Sequence, residues 1–265
     1  MIDYHIHTQH SIDAEGGIDE YCRRAVEIGL KEICFTNHCE LDPERDDSLI
    51  RFDGKNRPLT RDGLLRLQDE VFDARERYKN RGLSIKFGLE VGYYKGIEPR
   101  LKELLKDIQF DFILGAIHCL DHICIDSSRE HPLYFGHHSA EELLENYFIA
   151  LEDLVQCPYF NSVAHFDVYK KYGLGYYGAE IRNFPETKMR NVIKLMKENG
   201  LAMEINTAGL RRVDEFYPGP RILEVAYDEG LEMITLGSDA HRPEDLGRNI
   251  EEAVEYVRSF GFKRV

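Results

Sequence analysis

Histidine and carboxylate side chains occur in this sequence at short spacings that suit metal binding. His5 and His7 lie two residues apart in a β-rich run, so both rings point to the same face of a strand. Asp239 and His241 have the same spacing near the other end of the chain. Imidazole and carboxylate together suit zinc, manganese or iron, and a carboxylate can bridge two ions. With 11 histidines among 265 residues, a metal centre is the first hypothesis.

Further ligand-type side chains lie at the ends of the other β-rich runs. In chain order they are His38, Glu90, His118, His165, Glu204 and Asn206. Each alone has an ordinary explanation, such as a hydrogen-bonded core histidine or a rim carboxylate, and the spacing of Asp13 is hardly better than that of a turn residue. Together they favour more than one metal ion. Close cations produce hydroxide at neutral pH and hold a tetrahedral phosphoryl group, so phosphoester hydrolysis is the expected reaction.

Seven β-rich segments alternate with seven segments of helical period. The predicted strands are Ile2–Ile6, Glu32–Thr36, Ser84–Val91, Phe110–Ile117, Ser162–Phe166, Leu201–Ile205 and Glu232–Leu236. The predicted helices are Ile18–Gly29, Thr60–Tyr78, Glu98–Asp107, Ser139–Leu154, Pro185–Glu198, Pro220–Glu229 and Pro243–Ser259. This alternation predicts parallel strands, either in an open doubly wound sheet or in a barrel. In a barrel the carboxyl ends of the strands meet at one mouth, where the ligand-type residues would converge.

No composition shift divides the chain, so residues 1–265 are expected to form a single domain. Two long non-helical stretches, about residues 39–59 and 119–138, follow strands directly and are expected to shape the site. The sequence shows no signal-peptide pattern, no apolar run long enough for a membrane and no CxxC pair among its six cysteines. We therefore expect a cytoplasmic protein with reduced thiols and no membrane partner.

The chain is strongly acidic. Asp and Glu total 48 against 34 Lys and Arg, which gives a formal net charge of −14. Most of such a surface repels a polyanion, so nucleic acid is not an expected partner. A cationic small molecule would instead be attracted.

The ordered set of ligand-type residues resembles the PHP (polymerase and histidinol phosphatase) superfamily. It reads His5-x-His7-Thr8-x-x-Ser11-x-Asp13, Thr36-x-His38, Glu90, His118, His165 and Ser238-Asp239-x-His241, and it spans nearly the whole chain. Residues 115–118 with Asp126, residues 165–171 and residues 204–212 are most similar to the histidinol-phosphate phosphatases of that superfamily. In one departure, Asn37 stands where the superfamily commonly has aspartate.

The resemblance implies a distorted (β/α)7, TIM-like barrel with three divalent metal ions (zinc, manganese or iron) at the C-terminal ends of its strands. The implied ligands are His5, His7, Glu90 and Asp239 for the first ion, Glu90, His118 and His165 for the second, and Asp13, His38 and His241 for the third. In this scheme Glu90 bridges two ions and a hydroxide between them attacks phosphorus. Asp239 or His165 would protonate the leaving alkoxide.

The implied reaction is hydrolysis of L-histidinol phosphate to L-histidinol and phosphate, in histidine biosynthesis. A phosphate ester needs cationic partners, and the candidates after the fifth and sixth strands are Lys170, Lys171, Arg211 and Arg212. Glu204 and Asn206 are candidates for the amine and imidazole of histidinol. The alternatives are a PHP phosphoesterase for another small phosphate ester or nucleotide, a polymerase-associated exonuclease, and a metal-binding protein without turnover. The charge of −14 argues against the exonuclease.

Overall fold

The computed structural model describes residues 1–263 and centres on a sheet of seven parallel strands. The strands are β1 (Ile2–Ile6), β2 (Glu32–Glu40), β3 (Ser84–Gly92), β4 (Phe112–Ala116), β5 (Ser162–Val163), β6 (Ala202–Asn206) and β7 (Ile234–Gly237). Each strand pairs with the next one along the chain. This order is the one expected when every strand is followed by a right-handed helical crossover.

The two edges of the sheet meet and nearly close it into a barrel. Ile6 bridges Ala240 in the parallel sense, and the His7 N–H donates to the Ala240 carbonyl at 2.9 Å. The buried Asp3 carboxylate also joins these edges, because its Oδ1 accepts from the Ser238 N–H at 2.9 Å. The barrel prediction is therefore confirmed, and the open doubly wound sheet is excluded.

Helices surround the strands and bury one apolar stripe each against them, as Leu64, Leu67 and Val71 do in the second helix. The α-helices are Ile18–Glu27, Arg61–Tyr78, Glu98–Leu104, His131–Phe135, Ala140–Leu154, Lys170–Tyr177, Glu186–Asn199, Ala208–Arg212, Pro220–Asp228 and Ile250–Ser259. Short 3-10 turns cover Lys79–Arg81, Gly178–Arg182 and Pro243–Asp245. Within residues 1–263, none of the helices has the length and apolar character needed to cross a membrane.

Several element boundaries differ from the predictions. The last helix begins at Ile250 rather than Pro243, because Gly247 and Asn249 adopt positive φ angles of 69° and 61° and interrupt it. Strand β5 ends at Val163 instead of Phe166, because the chain turns sharply at His165, whose φ is 23°. A capping box of Ser139 and Glu142 begins the helix Ala140–Leu154, close to its predicted start.

The two long stretches predicted as non-helical contain hairpins. The first stretch begins with the end of β2 and holds the antiparallel pair Leu49–Phe52 and Lys55–Pro58. From this hairpin Arg51 donates to the Ala14 carbonyl at 3.2 Å and so supports the loop that carries Asp13. The second stretch holds the pair Cys119–Leu120 and Ile123–Cys124, directly after His118, and then the short helix His131–Phe135.

Candidate metal centre

Glu90, near the end of β3, lies at the centre of the barrel mouth and is 1% exposed. Ring nitrogens from four other parts of the barrel surround its carboxylate. Its Oε1 lies 2.8 Å from His165 Nε2, 3.2 Å from His118 Nε2 and 3.3 Å from His5 Nε2, and its Oε2 lies 2.8 Å from His38 Nδ1 and 3.5 Å from His7 Nε2. A carboxylate with both oxygens facing imidazoles can bridge two cations.

Asp239 joins this cluster from the end of β7. Its Oδ1 lies 3.5 Å from His7 Nε2, 3.7 Å from His5 Nε2 and 3.4 Å from His241 Nδ1. Asp239 has a φ of 52°, and His165 also has a positive φ. Non-glycine residues in this region are unfavourable and cluster at functional sites, although Asp, Asn and His also adopt it in turns.

Asp13, His38 and His241 form a third, more exposed group. Asp13 Oδ2 lies 3.5 Å from His38 Nε2 and 3.3 Å from His241 Nε2, and the two rings are 3.4 Å apart between their Nε2 atoms. The loop after β1 thus brings the Asp13 carboxylate to the barrel mouth. The spacing of Asp13 in the sequence alone could not predict this position.

The donor atoms of these residues are close enough to hold cations. Four groups within residues 1–263 have ligand atoms that lie within 4.8 Å of one another: His5, His7 and Glu90; Glu90, His118 and His165; His7, His38 and His241; and His38, Glu40 and His118. Two buried ring nitrogens at the centre, His5 Nε2 and His7 Nε2, have no hydrogen-bond partner among the described residues. Buried polar atoms normally have a partner, so this donor set fits divalent cations.

The charges of the cluster keep the central carboxylate ionised but act differently on its histidines. Burial alone would lower the pKa of His5, His38 and His118, but the carboxylates around them outweigh it and raise that pKa well above the ordinary value. Burial alone would raise the pKa of Glu90, but His5 and His118 outweigh it and hold that pKa well below the usual value. Burial, together with the charge of His38, lowers the pKa of His7 well below the ordinary histidine value. An ionised carboxylate and a neutral imidazole are the states that ligate a metal.

Glu204 and Asn206 lie beneath the ligands rather than in the cavity where a substrate would bind. Glu204 Oε1 is 2.6 Å from His5 Nδ1, and Glu204 Oε2 accepts from the His165 N–H at 2.7 Å. Asn206 donates to Glu204 at 3.1 Å and to Asp239 at 3.3 Å. Both residues are fully buried, and they orient three of the predicted ligands.

Glu40 is a functional candidate that the sequence analysis missed. Its Oε1 lies 2.8 Å from His118 Nδ1. Glu204 Oε1 faces His5 Nδ1 in the same way. The register places Glu40 beside Gly92, where a Cβ atom would collide with the Glu40 carboxylate. The available signal was the two-residue spacing from His38, which puts both side chains on one face of β2.

Asn37 organises the loop after β1. Its Oδ1 accepts from the Thr8 N–H at 2.8 Å and from the Ser11 hydroxyl at 3.1 Å. Ser11 Oγ in turn accepts from the His38 N–H at 3.1 Å and lies 3.3 Å from His7 Nδ1. The amide oxygen therefore supplies the acceptor that this loop needs without an aspartate.

A cavity of about 490 Å³ lies above the cluster, with both cationic and acidic side chains in its wall. Of the predicted substrate contacts, Lys171, Arg211 and Arg212 line it. Arg242, Asp126, Asp245 and Tyr217 also line it, although the sequence analysis assigned them no role in binding. Lys171 Nζ lies 3.2 Å from Asp126 Oδ2.

Lys170 does not reach this cavity. Its ammonium group lies 2.6 Å from Asp167 Oδ2 and 3.2 Å from Glu215 Oε1, and the residue is 3% exposed. Burial alone would lower the pKa of Lys170, but Asp167 and Glu215 outweigh it and raise that pKa. The structure therefore places Lys170 in a buried ion pair.

Arg211 is held in place by the backbone beside the predicted ligands. Its Nη2 donates to the Ser238 carbonyl at 2.8 Å. Its Nη1 is buried and has no hydrogen-bond partner in the described part of the chain. Arg212 is exposed at the cavity rim and forms no ion pair with the described residues.

Comparisons with known proteins give matches over most or all of this chain. A family model described as "PHP domain" matches residues 3–208. The "Histidinol-phosphatase" of Lactococcus lactis is 28% identical over 268 residues, which cover 98% of this chain and 91% of the relative. A "Probable histidinol-phosphatase" of Deinococcus radiodurans is 27% identical over 266 residues, with coverages of 100% and 95%.

Among solved structures, the chain is similar to histidinol phosphate phosphatase from Lactococcus lactis, which was crystallised with zinc, L-histidinol and phosphate. The TM-score is 0.79 at 24% identity, and the match covers 100% of this chain and 95% of the other. This likeness confirms the barrel fold.

Proposed function

Because the chain belongs to the PHP domain family, we propose that it is a metal-dependent phosphomonoesterase that hydrolyses L-histidinol phosphate to L-histidinol and phosphate. The observation that carries this proposal is the cluster of histidines and carboxylates around Glu90, below a cavity with cationic walls. The names of relatives that match along almost their whole length support the substrate. In this role residues 1–265 would form a single domain that acts in the cytoplasm, in histidine biosynthesis.

The proposed cofactor is a set of three divalent ions. The ligands would be His5, His7, Glu90 and Asp239 for the first ion, Glu90, His118 and His165 for the second, and Asp13, His38 and His241 for the third. Zinc in the Lactococcus lactis structure supports zinc as one candidate. Divalent cations supply Lewis acidity, which favours hydroxide over water at neutral pH and neutralises the charge of a phosphoryl group.

Three cationic side chains are proposed to bind the phosphate. Lys171, Arg211 and Arg212 line the same cavity as the predicted metal ligands. The Ser238 carbonyl fixes one arm of the Arg211 guanidinium and leaves Nη1 free to donate. Guanidinium groups bind phosphate oxygens in pairs, whereas an ammonium group acts as a point charge.

Asp126 is proposed to bind the cationic end of the substrate in place of Glu204 and Asn206. It lines the cavity, whereas those two side chains are buried under the ligands. Burial would raise the pKa of Asp126, but Lys171 and His118 outweigh it and lower that pKa, so the carboxylate is ionised at neutral pH. An ionised carboxylate can accept from an ammonium or imidazolium group.

Asp239 and His165 remain the two candidates for giving a proton to the leaving alkoxide. Both line the cavity, and both are held at positive φ angles. Asn206 donates to Asp239 Oδ2, and Glu204 holds the backbone of His165, so each side chain has a fixed direction.

The test is a substrate panel combined with metal analysis. We expect three metal ions per chain, in line with the three proposed ligand sets, and a higher kcat/KM for L-histidinol phosphate than for other phosphomonoesters. Asp239→Asn should lower kcat by more than about 100-fold, because even groups that only support a ligand contribute 10–100-fold. Asp214→Asn is the matched control, because Asp214 is exposed and also has a positive φ, at 60°.

Each contrary result points to one alternative. A preference for a different ester would assign the chain to a PHP phosphoesterase of other specificity. Zero turnover across the panel with metals bound would identify a metal-binding protein without phosphatase activity.

A further inference from the structure

Two cysteines face each other across the hairpin that follows His118. In its register Cys119 pairs with Cys124 and Leu120 pairs with Ile123. The intervening residues Asp121 and His122 have φ angles of 48° and 64°, as a two-residue type I′ turn requires. The turn therefore fixes which side chains lie opposite each other.

The backbone pattern brings the Cα atoms of the two cysteines close together. The Ile125 N–H donates to the His118 carbonyl at 2.8 Å, so these residues form a hydrogen-bonded pair. Such pairs alternate with non-hydrogen-bonded pairs, whose Cα atoms are about 4.5 Å apart and whose side chains lie closer. That spacing lies within the range that disulfides span.

These two thiols are also the accessible ones. Of the six cysteines, Cys22, Cys34, Cys39 and Cys157 are buried, whereas Cys119 and Cys124 are partly exposed. Cys119 lines a surface cavity of about 360 Å³, outside the metal centre. A small reagent can therefore reach Cys119 without entering the cavity above Glu90.

We propose that Cys119 and Cys124 form a reversible disulfide and that its formation alters the substrate cavity. The oxidant is a low-molecular-weight disulfide. One cysteine attacks it and releases one small thiol, and the second cysteine attacks the mixed disulfide and releases the other. One sulfur–sulfur bond is broken and one is formed, and the two protein thiols lose two protons and two electrons.

Asp126 connects this pair to the cavity. The Cys124 thiol donates to Asp126 Oδ1 at 2.9 Å, while Asp126 Oδ2 faces Lys171. A disulfide removes this donor from a carboxylate in the cavity wall. The expected effect on the substrate cavity rests on the proposed function, because that function assigns Asp126 to substrate binding. We expect kcat/KM for L-histidinol phosphate to fall about 10-fold, the effect typical of one hydrogen bond to a charged group.

The first experiment detects the disulfide between Cys119 and Cys124. The metal-loaded protein is incubated with oxidised glutathione, alkylated and digested with trypsin, which releases residues 107–129 with both cysteines in one peptide. The expected peptide is about 2 Da lighter than the reduced form and carries no alkyl group. Cys119→Ser should abolish this product, and Cys157→Ser, at a buried cysteine, should leave it unchanged. Alkylation of both thiols, or only a mixed disulfide with glutathione, would overturn the proposal.

The second experiment measures whether formation of the disulfide changes catalysis in the substrate cavity. The kcat/KM is measured before oxidation, after it and after treatment with dithiothreitol, in wild type and in Cys119→Ser, which keeps the contact between Cys124 and Asp126. Wild type should lose activity and regain it, and variant protein whose mass shows no mixed disulfide at Cys124 should not respond. A fully disulfide-bonded protein with unchanged kcat/KM would overturn the coupling. Absence of turnover in the reduced protein would contradict the proposed function, and the mass change would still test the bond.

Discussion

Glu204 and Glu40 each face the Nδ1 atom of a histidine whose Nε2 atom points to Glu90. The pairs are Glu204 with His5 and Glu40 with His118. A carboxylate at Nδ1 holds the proton there and leaves the Nε2 lone pair for a cation, which also fixes the direction of the ring. His5 and His118 are thus oriented in the same way, each by a carboxylate at its Nδ1 atom.

Replacing Glu204 by glutamine tests this support. The amide keeps the volume but loses the charge, so His5 should ligate more weakly, and we expect metal affinity or kcat/KM to fall by about 10- to 100-fold. Metal content by mass spectrometry and steady-state kinetics measure the effect. Glu152→Gln, on the surface of the helix Ala140–Leu154, is the matched control. Equal metal affinity and activity in the two variants would show that Glu204 does not support His5.

The adjacent lysines should behave differently when each is replaced by methionine. Lys170→Met leaves the buried Asp167 carboxylate without its ammonium partner, so we expect a loss of about 3–5 kcal/mol in unfolding free energy. Lys171→Met should leave stability nearly unchanged and raise KM. Urea denaturation and kinetics separate the two effects. A higher KM with normal stability in Lys170→Met would return Lys170 to the substrate-binding set.

At the scale of the element, close packing between strands sets the position of the ligands. Gly237 in β7 has no side chain, and a Cβ there would collide with Glu204 Oε1 and with the Cβ of His5. The absent side chain provides the space in which Glu204 reaches His5. Glycine is required at position 237 because the side chains of two other strands, β1 and β6, occupy the space beside β7.

Gly237→Ala should therefore impair both stability and activity. Overpacking in a tight interior costs about 1–3 kcal/mol, and displacement of Glu204 should weaken metal binding as well. Gly175→Ala is the control, because a Cβ added there would meet no atom within 4 Å and the residue sits in the helix Lys170–Tyr177. There alanine should stabilise by up to about 1 kcal/mol. Differential scanning calorimetry of both variants checks this, and a neutral Gly237→Ala would contradict it.

The sequence predicted the barrel strands well because each has an apolar run of strand length followed by a polar end. It could not predict the hairpin at Cys119, because its strands have two residues each and carry no measurable alternation. The roles of Glu204 and Lys170 were also out of reach. Glu204 meets His5, which is 199 positions away, and Lys170 meets Glu215 as well as the nearby Asp167, so the packing of the barrel completes both contacts.

At the scale of the whole molecule, metal binding should stabilise the fold. The ligands come from strands and loops throughout the barrel, so an unfolded chain cannot present them together. An ion at 100 times its Kd contributes about 2.7 kcal/mol. We therefore expect chelation to abolish activity and to lower Tm by about 5–10 °C.

Calorimetry with and without a chelator measures this change, and Glu90→Gln provides the comparison. Because Glu90 faces five of the predicted histidine ligands, that variant should respond little to chelation. Equal Tm values for wild type with and without the chelator would show that the cluster holds no stabilising ion.

The seam between β1 and β7 has a consequence for biosynthesis. The Ser238 N–H reaches Asp3 across 235 positions of the chain, and Asp239 meets His5 and His7 beside this contact. A growing polypeptide therefore presents its first two histidines long before their partner emerges from the ribosome. At about 5–20 residues per second this delay is on the order of tens of seconds. During this time His5 and His7 would present only part of the proposed ligand set, so we expect metal binding to follow the joining of the last strand to the first.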